Sequence, residues 1–245
     1  MSLRSIVIAA FTTFGFVALP ATAQQRNTPA QLSVDIGGRQ VQLLIPEGQC
    51  ALDRNQRYDA SVLDLATRAI QGANEMLLHT ADCTNLQSAR NGQTRYLNDF
   101  HQAQVALQFK ATELRGQEAA AAKEICQSLR VDGAKIEKEV GGEIKDRVKN
   151  LQAGIQVNET KALGVLAEDQ SACYSGILMN VQTPTGDTRI ILGVYAMAVL
   201  NGRLVFLYHF IAEPPAGAVD RLVEQQKVIV RQHVAANSRA GGPNR

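Results

Sequence analysis

The sequence predicts an α+β domain, organised as a three-layer α/β/α sandwich on a mainly antiparallel sheet with a helical insertion. Three observations lead there. Residues Arg189–Leu200 and Leu204–Ile211 are apolar on both faces. Strands of that kind are covered on both sides, so helices are expected above and below them. Asn201-Gly202 lies between the two runs, and an Asn-Gly pair favours a tight hairpin turn that makes its flanking strands antiparallel neighbours. Apolar residues recur at helical spacing elsewhere, in 59–71, in 114–151 and after Pro214-Pro215.

The chain opens on an export signal. Arg4 supplies the positive charge, Ile6–Leu19 is mostly apolar, and Ala21-Thr22-Ala23 has the small-x-small pattern that signal peptidase accepts. Residues 1–23 read as a signal peptide cleaved between Ala23 and Gln24. The apolar run is short of the roughly 20 residues that a membrane-spanning helix needs, and polar QQRNTPAQ follows it. An uncleaved anchor is the alternative. The expected location is the periplasm, with no stable membrane insertion.

Residues 24–31 form an expected flexible leader, followed by a single domain over 32–237. Leu32–Ile36 and Gln40–Ile45 alternate around Gly37-Gly38 and suggest a hairpin. Asp59 is placed as the N-cap of a helix through Gln71, with Val62, Leu63, Ala66, Ala69 and Ile70 on its buried stripe. Gly72 ends it, and Met76–Ala81 follows as a strand. Residues 84–114 show little periodicity, though TRYLNDFHQAQVALQF is expected to contain an extended segment. Two helices are expected next, Leu114–Leu129 and Lys135–Leu151, with a kink or break at Gly141-Gly142, where each Gly costs about 1 kcal/mol relative to Ala. This 114–152 region either packs on a face of the sheet or forms an insertion that protrudes from it. Strands at about 160–168, 172–182, 188–199 and 203–212 complete the sheet. A final helix carries Val219, Leu222, Val223, Ile229, Val230 and Val234 on one stripe, and 238–245 is expected to be a disordered tail.

Four cysteines, Cys50, Cys83, Cys126 and Cys173, lie after the signal. An even number in an exported chain suggests two disulfides, for which three connectivities exist. Cys50–Cys83 and Cys126–Cys173 are favoured. Cys50 and Cys83 close strands that a helix can bring together, and Cys126 lies on the inward face of its helix. No CxxC occurs, so neither a redox pair nor a zinc knuckle is indicated.

The closing arrangement RIILGVYAMAVLNGRLVFLYHF, with the helix after Pro215, resembles the end of PsbP-like α/β/α sandwich domains, and IPEGQC resembles their first strand and turn. Pro46-Glu47-Gly48-Gln49-Cys50, with the later Ala81-Asp82-Cys83, also resembles uncharacterised exported proteins of Gram-negative bacteria. PsbP-like domains are usually accessory or binding proteins, so the resemblance implies such a role.

Chemistry is sparse. The 25 basic and 23 acidic residues nearly balance, which gives no field to draw in nucleic acid. His79, His101, His209 and His233 show no ligand spacing such as HExxH. His79 and Asp82 stand three apart on a strand and face opposite sides. Ser175 lacks the strand-to-helix elbow of a hydrolase nucleophile, and no glycine-rich phosphate loop occurs. No catalytic residue, cofactor or metal is assigned. One pocket is expected to group His209 with Tyr195 and Tyr174. The expected function is a soluble periplasmic accessory or binding protein without catalysis, with an envelope protein as partner and the oligomeric state open. An envelope hydrolase, or an assembly factor gripping a membrane protein with the 114–152 helices, is the alternative.

Overall fold

The computed structural model describes residues 30–150 and 155–240, some of those within 133–150 and at 239–240 by backbone only. The signal peptide with its Ala23–Gln24 junction, most of the leader and the last five residues lie outside these segments.

The elements run β1 (Gln31–Ile36), β2 (Arg39–Leu44), β3 (Gln49–Ala51), α1 (Arg57–Ile70), β4 (Asn74–Asp82), α2 (Cys83–Arg90), β5 (Asp99–Ala106), a 3-10 turn at Leu107–Phe109, α3 (Glu118–Asn150), β6 (Gln156–Glu168), β7 (Ala172–Gln182), β8 (Thr188–Leu200), β9 (Arg203–Ala212) and α4 (Ala218–Ala240). Seven strands form one sheet in the order β3-β4-β5-β9-β8-β7-β6, and β1 and β2 form a separate hairpin. Every pairing is antiparallel. The chain is therefore α+β with a large antiparallel sheet.

The Asn201-Gly202 turn sets the register of the two most apolar strands. Leu200 stands opposite Arg203. Both turn residues take positive φ, 47° and 81°, as a type I′ turn requires. A Cβ at position 202 would also collide with the Glu113 carboxylate.

Helices meet β8 on opposite sides. Leu192 and Val194 pack with Leu222 and Val223 of α4, and Ala196, Ala198 and Leu200 pack with Val230. Met197 and Val199 point the other way, against Cys126, Ile125 and Leu129 of α3. The strand period of two thus explains why β8 reads as apolar throughout. The β1–β2 hairpin adds Ile36, Val41 and Leu43 to the α4 side. Among the described residues no helix is long and apolar enough to cross a membrane.

The two disulfides join Cys50 to Cys83 and Cys126 to Cys173. The first ties β3 to the opening residue of α2. The second ties α3 to β7 between two fully buried sulfurs.

Several elements depart from expectation. The N-cap of α1 is Gln56, and Asp59 lies within the first turn, fully buried. Its carboxylate accepts from the Asp53 backbone N–H and from two guanidinium nitrogens of Arg90. The side chain turns inward because α2 supplies a cation for it. That helix was not legible in the sequence. It is short and follows Asp82, whose carboxylate caps it by accepting from the Asn85 N–H. The region 114–152 holds one continuous helix starting at Glu118 rather than two. The cost of two glycines is small beside the cooperativity of a 33-residue helix. It packs along β6, β7 and β8. The last helix continues to Ala240, into the expected tail. Asn237 holds it there by bonding both the N–H and the carbonyl of Gln42.

Candidate functional site

The grouping of His209 with Tyr195 and Tyr174 does not form a pocket. Tyr195 stands opposite Tyr208, whereas His209 stands opposite Val194. Tyr195 and His209 therefore point to opposite faces. Tyr195 lies in an aromatic row, 5.3 Å from the Tyr208 ring, and burial raises its phenol pKa. Tyr174 shares the α4 side with His209 but sits on β7, opposite Ala196. It is fully buried and donates to Asp169 Oδ2 at 2.9 Å. Burial, followed by that carboxylate, pushes the Tyr174 phenol well up. The hairpin register forced by Asn201-Gly202 carried this information in the sequence.

His209 instead meets residues of β5. It stands directly opposite His101, and Asp99 lies two positions earlier on the same strand as His101. The two imidazoles stack with centroids 3.9 Å apart and planes 23° apart. His209 Nε2 is 3.1 Å from Asp99 Oδ1, and His101 Nε2 is 3.8 Å from it. Gln49 Nε2 of β3 donates to the same Oδ1 at 3.2 Å, and the Thr80 hydroxyl donates to Gln49 Oε1. Burial raises the Asp99 pKa, but His209, His101 and Gln49 outweigh it and hold the carboxyl below its ordinary value. Burial, then the adjacent His209, pushes His101 down to about 3. One ligand atom from each of Asp99, His101 and His209 lies within 4.8 Å of the others. The missed signal was Asp99-x-His101, which puts both side chains on one face of an extended segment.

Deeper on the same side, His233 of α4 accepts from the Leu44 N–H and has Nδ1 2.9 Å from the Ile229 carbonyl. Both ring nitrogens are used, which fixes a neutral tautomer, and burial lowers its pKa. His101 and His233 line a cavity of about 20 Å³, room for about one water molecule.

The larger opening lies at the sheet edge. Strand β3 pairs only with Thr80, Ala81 and Asp82 of β4, and the Leu52 N–H reaches the His79 carbonyl. Asn74, Glu75, Met76 and Leu78 of β4 pair with β5 on one side, with an irregularity at Leu77, and residues 74–78 pair with no strand on the other side among the described residues. A groove of about 630 Å³ follows this edge, lined by Leu32, Leu52, Leu63, Met76, Leu77 and Leu107 among others. Leu32 and Leu107 are 41% and 45% exposed. His79 also lines it. It is 5% exposed, and neither ring nitrogen has a hydrogen-bond partner among the described residues. Burial, slightly offset by Asp59, pushes His79 down to about 4. Its ring lies 5.6 Å from that of Phe100. The Asp82 carboxylate caps α2 by accepting from the Asn85 N–H.

No protein-family model and no curated protein matches this chain. Among the described residues no hydroxyl or thiol is hydrogen-bonded to a histidine.

Proposed function

We propose that this chain is a soluble periplasmic accessory or binding protein that acts without catalysis, and that the outer edge of β4 receives an extended polypeptide segment of an envelope partner. In this reading, cleavage after Ala23 releases the chain, and a three-layer α/β/α body carries the groove. The disulfides fit an oxidising compartment, and the placement of α3 and α4 on opposite sides of β8 supports the layered description.

The observation that carries the proposal is the open stretch Asn74–Leu78 beside an apolar groove. An unpaired strand edge presents main-chain donors and acceptors in a row, which suits an added strand. Alternate side chains of that strand would enter the apolar groove. His79 offers a donor and an acceptor at its buried end.

The test begins with decapeptides selected from a random library for binding to the mature protein. Strand addition predicts that N-methylation abolishes binding at alternate peptide positions and is tolerated between them. Leu32→Asp, at an exposed groove position, should weaken binding at least tenfold. Uniform tolerance of N-methylation, or full affinity in the Leu32 variant, contradicts the proposal.

A further inference from the structure

The cluster at the other side of the sheet has a chemistry separate from the groove. We propose that Asp99, His101 and His209 form a binding site for a divalent transition-metal ion of the zinc or copper class. The donor set is two imidazole nitrogens and one carboxylate oxygen. That set suits zinc, copper, nickel or ferrous ions, while calcium and magnesium call for oxygen ligands throughout.

The spacing fits. Metal–ligand bonds of about 2.0–2.1 Å place tetrahedral ligand atoms about 3.3 Å apart. Asp99 Oδ1 is 3.1 Å from one imidazole nitrogen and 3.8 Å from the other. The three residues stand on neighbouring strands, at a direct cross-strand pair and at i−2, so the backbone holds them without a flexible loop. A supporting shell is present. Gln49 holds Asp99, and Thr80 holds Gln49. The Asp99 side chain is 43% exposed, while those of His101 and His209 are 12% and 5% exposed. An ion would therefore approach past the carboxylate and keep at least one position open to water.

One adjustment is required. The rings stack at 23°, so their lone pairs run side by side, and one ring must turn for both to meet a single ion. For His209 the turn breaks the stack with His101 and the contact with Asp99, and no hydrogen bond of Nδ1, which has no partner among the described residues. The ion would then replace that contact with a bond to each group.

Titration of tag-free mature protein with Zn²⁺ alone, followed calorimetrically, tests the site. One equivalent should bind, and Asp99→Asn and His101→Gln should each weaken binding at least tenfold. Gln49→Ala, one shell out, should weaken it by about tenfold. Asp99→Asn alters a half-exposed side chain and keeps its size, so its result stands even if a histidine variant misfolds. Co²⁺ should bind with the absorption of a four- or five-coordinate ion and lose that spectrum in the Asp99 variant. Absence of a saturable equivalent, or unchanged binding in Asp99→Asn and His101→Gln, overturns the proposal. Peptide binding at the β4 edge is expected to be unaffected by either variant, so the two sites can fail independently.

Discussion

Arg203, the first residue of β9, donates from Nε to the carbonyl of Ile36, the last residue of β1, at 2.9 Å. The same guanidinium also donates to the carbonyls of Gly37 and Thr112. It is 5% exposed and meets the Glu113 carboxylate at 3.4 Å. A buried cation thus pins the tip of the separate β1–β2 hairpin to the main sheet. Arg203→Ala would leave three carbonyls without their donor. A loss of about 3 kcal/mol is expected, because each unsatisfied buried acceptor costs about 1–3 kcal/mol and water recovers part of it. Arg203→Lys should not rescue it, since an ammonium cannot reproduce the planar fork. Urea denaturation at neutral pH measures both.

The Cys126–Cys173 bridge closes a separation of 47 residues and Cys50–Cys83 one of 33. In the chain-entropy account each contributes about 4 kcal/mol. The double variant Cys126→Ala/Cys173→Ala should lose at least that much, because it also empties a fully buried contact between α3 and β7. The corresponding change at Cys50 and Cys83, which are half-buried, should cost less. Equal losses measured by guanidinium unfolding would contradict the role assigned to packing.

Acid should destabilise the fold from two directions. His79 titrates near 4 when folded and near 6.5 when unfolded. The folded state favours the neutral ring, so this contribution is complete above about pH 6.5 and is lost as pH falls towards 4, by up to about 3 kcal/mol. Asp59 adds to the trend at lower pH. Burial would raise its pKa, but the hydrogen bonds from Arg90 and from the Asp53 N–H lower it further. Its stabilisation is present above the unfolded carboxylate value and is lost below it. Replacing His79 by Leu removes two unpartnered ring nitrogens from an apolar setting. The variant should be close to neutral at pH 7 and should gain on the parent by about 2 kcal/mol between pH 7 and pH 5. Parallel stability curves would refute the buried, neutral assignment.

What the sequence disclosed follows from which patterns have a fixed period. Arg189–Ala212 was legible because Asn201-Gly202 fixes the turn and the strands are long. The cysteine pairs could be read from the elements they terminate. Helix α2 was illegible because its few residues carry only Leu86 and Ala89 as a buried stripe. Asp59 suggested a cap because its type favours one, and nothing local reveals that Arg90, 31 positions on, waits to pair with it. The histidine–carboxylate cluster depends on β5 lying beside β9, a neighbour relation across more than a hundred residues. The β4 edge was equally hidden, since it exists only because β3 is three residues long.

Hydrogen–deuterium exchange of the mature protein, with and without a selected peptide, tests the central proposal most directly. Strand addition predicts slowed exchange of amides within Asn74–Leu78 on peptide binding, with β7 and β8 unchanged. Protection that spares β4, or that falls instead on α3, would contradict it.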